Sequence, residues 1–181
     1  TLLSPSNFAL PFAQRVLGAL EVATLRGGTA LVIDSLWRDG LVSQSALRAA
    51  EADFRRLLQR TGVPSDAPCN TGARNCFVPL LGEGPAPGGP SFDLSAETRS
   101  LLRLLAALPA EIDRHGWPCG LMLPSTVQVA CYSAASGAHY MPHLDRNANE
   151  AHNEREITIL LYLNVGWDAR KAGGCLRLHP S

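Results

Sequence analysis

The fold is decided by the stretch Tyr140-Met141-Pro142-His143-Leu144-Asp145, which precedes an apolar run at 157–163 and the segment Gly173-Gly174-Cys175-Leu176-Arg177. Short runs with aromatic, β-branched and other apolar residues, bounded by polar or Gly-rich stretches, are typical of strands. On a strand, successive side chains point to opposite faces, so His143 and Asp145 should project toward the same side. The stretch therefore predicts a strand that presents an imidazole and a carboxylate together.

The N-terminal part of the chain has the periodicity of helices. Apolar residues at helical spacing predict helices at 7–26, 43–60 and 95–115. Pro109 should kink the last of these or divide it in two. The Gly- and Pro-rich residues between 61 and 92 predict a long loop, in which a binding loop and a plain insert are both possible.

The C-terminal part has the pattern of short strands. We predict strands at 29–33, 77–81, 121–123, 126–132, 139–144, 157–163 and 175–179. Helices first and most strands later indicate a single α+β domain over 1–181. In this interpretation, 1–118 provide helical support and a mobile loop, and 119–181 provide the first core strands.

Charge and hydropathy exclude some kinds of partner. Sixteen Lys and Arg residues balance sixteen Asp and Glu residues, so the formal net charge is zero and gives no electrostatic attraction to nucleic acid. No apolar run is long enough for a membrane span, and Thr1 opens no recognisable secretory signal. We therefore expect neither a nucleic-acid nor a membrane partner.

The five cysteines are an odd number, which fits reduced thiols in a cytoplasmic or nuclear protein. Cys131 and Cys175 fall in predicted strands and are expected in the core. Cys69 and Cys76 flank a polar loop, where either a local disulfide or two ordinary loop thiols would fit.

The paired His143 and Asp145 point to metal chemistry. One imidazole nitrogen and one carboxylate oxygen are two of the three ligands in the 2-His-1-carboxylate triad that holds non-haem Fe(II) in oxygenases. Two alternatives remain open from the residues alone. His143 could be a half-buried histidine at a sheet edge, or it could form a zinc site with His139 and Asp145.

The C-terminal part also resembles a known family. The likeness is carried by the segments Val129-Ala130-Cys131-Tyr132, Tyr140-Met141-Pro142-His143-Leu144-Asp145, Leu161-Tyr162-Leu163-Asn164, Trp167-Asp168-Ala169-Arg170 and Gly173-Gly174-Cys175-Leu176-Arg177. Together they resemble the Fe(II)/2-oxoglutarate dioxygenases of the prolyl 4-hydroxylase superfamily. Within that superfamily they are most similar to the oxygen-sensing prolyl hydroxylases that modify hypoxia-inducible factor.

The resemblance implies a fold and a set of cofactors. It implies a double-stranded β-helix, a distorted jelly roll, with the N-terminal helices packed on one sheet. It also implies Fe(II) held by His143 and Asp145, with 2-oxoglutarate as cosubstrate, O₂ as the oxidant, and L-ascorbate to keep the iron reduced.

The resemblance further implies roles for particular side chains. Four residues would bind the cosubstrate, through two hydroxyls and an apolar wall: Tyr132, Tyr162, Leu160 and Leu176. Tyr140 and Arg155 would face the substrate. For each of the six, ordinary packing or a solvated position is the alternative. Trp167 is expected to fill the core beneath a tight turn at Gly173-Gly174.

Two family features are missing between 1 and 181: the distal His ligand and the basic residue that anchors 2-oxoglutarate. His179 and Arg177 belong to the wrong strand for those roles, so we expect a C-terminally incomplete catalytic domain. The predicted function is hydroxylation of a prolyl residue in a protein or peptide, with oxygen sensing as a possible role. The alternatives are a non-catalytic jelly-roll module that binds a peptide or protein, and a dioxygenase that acts on another substrate.

Overall fold

The computed structural model describes residues 2–3, 42–64, 70–81, 92–146 and 154–178. Its helices are α1 (Gln44–Thr61), α2 (Ala96–Arg114) and α3 (Ala169–Ala172), with a 3₁₀ turn at Ala134–Ser136. Its strands are β1 (Leu2–Leu3), β2 (Val63–Pro64), β3 (Asn70–Thr71), β4 (Arg74–Pro79), β5 (Leu123–Pro124), β6 (Thr126–Cys131) and β7 (His139–Tyr140). The helix predicted at 7–26, the strand predicted at 29–33, and residues 65–69 (with Cys69) and 82–91 of the predicted long loop lie outside the described residues. The rest of that loop is not plain loop, since it contains β2, β3 and β4.

Helix α1 confirms the prediction at 43–60. Ser43 is its N-cap, and its Oγ accepts a hydrogen bond from the Ala46 backbone N–H at 3.0 Å. At the other end, the Gly62 N–H donates to the Leu58 carbonyl. The buried apolar side chains form one stripe, in which Leu57 and Leu58 are the deepest of the large residues.

Helix α2 confirms the prediction at 95–115 but not its interruption. Ser95 is the N-cap, and the helix runs without a break through Pro109. The proline ring removes one backbone N–H, so the Leu105 carbonyl loses its helical donor. Pro109 is itself buried, between Leu108 and Ile112 on the packed face, and burial of this apolar surface offsets the lost bond.

A buried carboxylate joins the two long helices. Asp53 of α1 is 4% exposed, and its Oδ2 accepts hydrogen bonds from the Ser95 N–H at 2.8 Å and the Thr98 hydroxyl at 2.5 Å. Its Oδ1 pairs with Arg56 on the solvent side. Because Ser95 and Thr98 form the first turn of α2, Asp53 fixes where α2 begins against α1.

The main sheet is antiparallel, with strand order β2-β4-β6. Opposite pairs include Cys76 with Val129 and Val78 with Val127, and both β4 members of these pairs are buried. Helix α1 packs against β4, β6 and α2, so the core lies between the helices and one face of this sheet. Two short pairs, β1-β5 and β3-β7, complete the pairing among the described residues.

The observed architecture is therefore helices packed on an antiparallel sheet, as the α+β prediction requires. The described residues do not form a double-stranded β-helix. Strand β7 ends at Tyr140 and does not continue to 144, and neither 157–163 nor 175–178 pairs into a ladder. These strand predictions were wrong. A run of apolar residues indicates contact with the core, whereas a strand also needs a partner for its backbone N–H and C=O groups.

Burial corrects two further predictions. Cys175 is exposed, contrary to its expected place in the core, whereas Cys131 is half-buried and packs against the core. Cys76 is a buried free thiol. Trp167 is 51% exposed and does not fill the core. Its indole N–H donates to the Gly173 carbonyl at 2.9 Å, so the ring braces the Gly173-Gly174 turn from outside. No helix in the described parts of the chain combines the length and apolarity needed to cross a bilayer.

Candidate metal-binding site

His143 and Asp145 lie in the bend that follows β7, and their side chains meet there. The distance from His143 Nε2 to Asp145 Oδ1 is 3.1 Å, and both side chains are a little over one-third exposed. The prediction that the two groups converge is confirmed, but the predicted strand that was expected to bring them together is not observed. The pleat of a strand does not bring them together, since residues 141–146 are not in a strand.

Local contacts orient the imidazole of His143. Its Nδ1 lies 2.9 Å from the Met141 carbonyl oxygen. A carbonyl can only accept, so Nδ1 carries the proton in this contact, and Nε2 is the ring nitrogen that faces Asp145. The Tyr140 ring stacks on the imidazole, with centroids 4.2 Å apart and planes tilted by 33°. A metal-binding histidine is commonly held by such a donor contact from its second nitrogen.

The Asp145 carboxylate is held on both oxygens. The Thr158 hydroxyl donates to Oδ2, while Arg155 Nη1 lies 3.7 Å from Oδ1 and 3.4 Å from the Asp145 main-chain carbonyl. The hydrogen bond from Thr158 lowers the pKa of Asp145, and contacts with His143 and Arg155 lower it further against the opposing effect of burial. Asp145 is therefore ionised at neutral pH, as a metal ligand must be.

The pair fits a divalent ion with octahedral geometry. Bonds of about 2.1 Å from imidazole nitrogen and carboxylate oxygen, set at a right angle, place the two donor atoms about 3.0 Å apart. The observed separation of 3.1 Å is close to this value and also lies within the range of an N–H···O hydrogen bond. The two acceptor atoms face each other at a distance where only a shared cation, either a proton or a metal ion, makes the contact favourable.

No third ligand joins the pair within the described residues. No group of three His, Cys, Asp or Glu side chains in those ranges could hold a metal ion, so the zinc site with His139 is not formed. The His139 ring is engaged in its own local contact, with Nδ1 2.9 Å from the Gly137 carbonyl oxygen.

The aromatic residues predicted to surround the site form a chain of rings. Tyr132 and Tyr140 have centroids 6.3 Å apart, and Tyr140 in turn stacks on His143. Both tyrosines are about two-fifths exposed. The structure thus places Tyr140 next to His143 and Tyr132 next to Tyr140, within the range at which aromatic pairs stabilise each other.

The remaining predicted site residues lie at the surface. Across 157–163, Ile157, Leu161 and Leu163 pack against the core, whereas Leu160 and Tyr162 are more than half exposed. Leu176 is equally exposed. The segment thus buries one set of side chains and leaves the other on the outer surface.

Thr158 is the contact that sequence reasoning missed. Its hydroxyl meets a carboxylate 13 residues earlier in the chain. The available signal was a lone threonine inside the otherwise apolar run at 157–163, two positions before Leu160 and four before Tyr162.

Comparison with known proteins shows which family this part of the chain resembles. Residues 127–181 match the model of the family described as the 2OG-Fe(II) oxygenase superfamily. The chain is 43% identical over 76 residues to Prolyl hydroxylase EGLN3 of Homo sapiens and of Rattus norvegicus, an overlap of 38% of this chain and 30% of the relative. It is 42% identical over 52 residues to Egl nine homolog 1 of Homo sapiens, covering 29% of this chain and 11% of that protein. No solved structure matches the chain.

The overlap is thus less than one-third of the length of these relatives. The separate match to the family model, at residues 127–181, includes both His143 and Asp145. The similarity supports the enzyme class of the 2-oxoglutarate-dependent dioxygenases, with Fe(II) and 2-oxoglutarate as the cofactors of that family. The resemblance of this chain to the 2-oxoglutarate- and Fe(II)-dependent oxygenases, and among them to the prolyl hydroxylases, is thereby confirmed.

Proposed function

We propose that this chain carries part of the active site of an Fe(II)- and 2-oxoglutarate-dependent dioxygenase that hydroxylates a prolyl residue of a protein. The observation that carries the proposal is the pair of His143 Nε2 and Asp145 Oδ1, 3.1 Å apart inside the region that matches the family. Further support comes from the two relatives, one of which is named a prolyl hydroxylase.

The bound cofactors would supply the oxidising chemistry: O₂ and 2-oxoglutarate give succinate, CO₂ and one oxygen atom that converts a C–H bond to C–OH. The contribution of the chain is to hold and orient. His143 offers Nε2 because its Nδ1 is engaged with Met141, and Asp145 offers Oδ1 because Thr158 engages Oδ2. Two fixed ligands at the correct separation reduce the rearrangement that metal binding requires.

The cosubstrate site is proposed around the same pair. Tyr132 and Tyr162 would donate hydroxyls to the far carboxylate of 2-oxoglutarate, and Leu160 and Leu176 would cover its carbon chain. Their accessible side chains are consistent with such a role. A distal histidine that is not found between 1 and 181 would complete the triad, and a double-stranded β-helix would be the fold of the complete domain.

The substrate side is proposed at Tyr140 and Arg155. Both border the metal ligands, Tyr140 through the ring stack and Arg155 through its approach to Asp145.

Ascorbate would keep the iron reduced. The proposed location is cytoplasmic or nuclear, which is supported by the free thiols at Cys76, Cys119, Cys131 and Cys175. Oxygen sensing is the role that we propose for such an activity.

The first experiment is an anaerobic titration with Fe(II) and 2-oxoglutarate, followed by the visible metal-to-ligand charge-transfer band. The test variant is His143→Ala, and His139→Ala is its matched control because each ring has Nδ1 2.9 Å from a carbonyl two residues earlier. We expect the band in the wild type and in His139→Ala, and its loss in His143→Ala. Equal bands in all three proteins would contradict the assignment of His143.

The substrate class needs a second experiment. Prolyl peptides are incubated with the loaded protein, and a mass gain of one oxygen atom is located by fragmentation. We expect hydroxyl on proline together with formation of succinate. Hydroxyl on a different residue would retain the dioxygenase and overturn the prolyl assignment, and a charge-transfer band with no peptide turnover would favour a small-molecule substrate.

A further inference from the structure

We propose that Thr158 is a positioning residue, whose hydroxyl holds Asp145 Oδ2 so that the metal is bound through Oδ1 alone. The inference rests on the proposed function, because it concerns how the ligand of that metal is oriented. It starts from one contact: the Thr158 Oγ1 donates to Oδ2, while Oδ1 of the same carboxylate lies 3.1 Å from His143 Nε2. The two oxygens are thus engaged on opposite sides.

The distinction between the two oxygens has a chemical consequence. A carboxylate can bind a metal through one oxygen or through both. A facial triad leaves three positions for the two atoms of a chelating cosubstrate and for O₂. If Oδ2 also bound the metal, it would occupy one of these positions. A donor that keeps Oδ2 turned away therefore preserves the open side of the metal.

Thr158 is suited to this role by its neighbours. Ile157 on one side and Leu161 on the other pack against the hydrophobic core, so the backbone between them is anchored. Threonine is β-branched, and its χ1 is restricted, which limits the directions available to the hydroxyl. The contact also spans 13 residues of sequence, so it ties the bend that carries Asp145 to the anchored segment.

A purely structural role is less consistent with the position of Thr158. The residue is exposed, unlike the buried Thr98 that meets Asp53 in the core. Removing an exposed hydroxyl should change folding stability little, whereas loss of a residue that orients a metal ligand typically lowers metal affinity 10- to 100-fold. Metal affinity and metal-free stability therefore separate the two roles.

The test uses Co(II) as the probe, titrated into the wild-type chain and its variants, with thermal unfolding of each metal-free protein measured in parallel. Thr158→Val keeps the shape and removes the hydroxyl, and Thr158→Ser keeps the hydroxyl. Thr126→Val is the matched control, since Thr126 is an exposed threonine at the start of β6. We expect Thr158→Val to bind Co(II) about 10-fold more weakly at unchanged Tm. Thr158→Ser and Thr126→Val should lie within threefold of the wild type.

The outcomes separate the inference from the proposed function. Wild-type binding that depends on His143, together with equal affinity in Thr158→Val, would overturn the role of Thr158 alone. That role is also overturned if Thr158→Ser is as weak as Thr158→Val, or if the Tm of Thr158→Val falls along with its affinity. Absence of His143-dependent binding in the wild type would overturn both proposals.

Discussion

Replacement of Asp53 by Ala should destabilise the helical support more than any substitution of a surface charge. The Asp53 carboxylate is 4% exposed and accepts hydrogen bonds from the Ser95 N–H and the Thr98 hydroxyl, the latter on a residue with no exposed surface. A hydrogen bond to a charged group contributes about 1.5–3 kcal/mol to stability. In Asp53→Ala, both donors remain buried without their acceptor, so we expect a loss of about 3–5 kcal/mol.

The assay is urea unfolding followed by far-ultraviolet circular dichroism, with the midpoint and the m-value fitted together. Glu51→Ala is the matched control on the same helix, because the Glu51–Arg55 pair lies at the surface and contributes at most about 1 kcal/mol. We expect a much lower midpoint for Asp53→Ala at an unchanged m-value. A loss no larger than that of Glu51→Ala would refute the idea that Asp53 fixes the start of α2.

The same carboxylate predicts a dependence of stability on pH. Burial raises the pKa of Asp53, but hydrogen bonds from Thr98 and Ser95 and the charge of Arg56 outweigh it, so the folded pKa lies below its ordinary value. A lowered folded pKa means that this stabilisation is complete above the unfolded pKa of about 4 and is lost as pH falls through the folded value. Between about pH 5 and pH 3, wild type should therefore lose more stability than Asp53→Asn. Parallel losses in the two proteins would contradict the assigned shift.

Three further predictions concern the site and its surroundings. Tyr140→Leu should weaken Co(II) binding about two- to tenfold, because it removes the ring stack on His143, which is worth about 0.5–1.5 kcal/mol. Tyr140→Phe keeps the ring and should bind Co(II) like the wild type; equal losses in both variants would assign the effect to the hydroxyl. Arg155→Ala should change Co(II) affinity less than about fivefold, since the contact with Asp145 is solvent-exposed, and under the proposed function it should raise KM for the peptide substrate. Gly173→Ala should lower stability by about 1–3 kcal/mol, measured by thermal unfolding, because Gly173 has φ 72° and ψ −151°, a conformation open almost only to glycine.

The helices could be predicted from the sequence because their signals are local. Ser43 and Ser95 cap α1 and α2 at the residues where the apolar stripes begin, and both predicted ranges agree with the structure to within one residue at each end. The predicted division at Pro109 failed for a tertiary reason. A proline weakens an isolated helix through its missing N–H, but the packing of its neighbours decides whether the helix continues.

The strands were harder to predict, because a strand is completed by a distant partner. The apolar run at 157–163 predicts contact with the core, and Ile157, Leu161 and Leu163 are partly buried against it, yet the segment has no ladder among the described residues. The site shows the same limit. His143 and Asp145 could be identified from their spacing and the family resemblance, whereas the Thr158 contact depends on how a bend and an anchored segment are placed relative to each other.

The candidate site therefore combines an irregular backbone with fixed side chains. Its two ligands lie in a bend outside any ladder, where the backbone is free to place a carboxylate and an imidazole at the same point. Their orientation comes from three neighbours with different chemistry: the Met141 carbonyl, the Tyr140 ring and the Thr158 hydroxyl. Each acts on a different atom or face of the ligands, so together they select Nε2 of His143 and Oδ1 of Asp145. Those two atoms already lie near the separation of adjacent octahedral positions, so under the proposed function the bend would need little rearrangement to bind a cation.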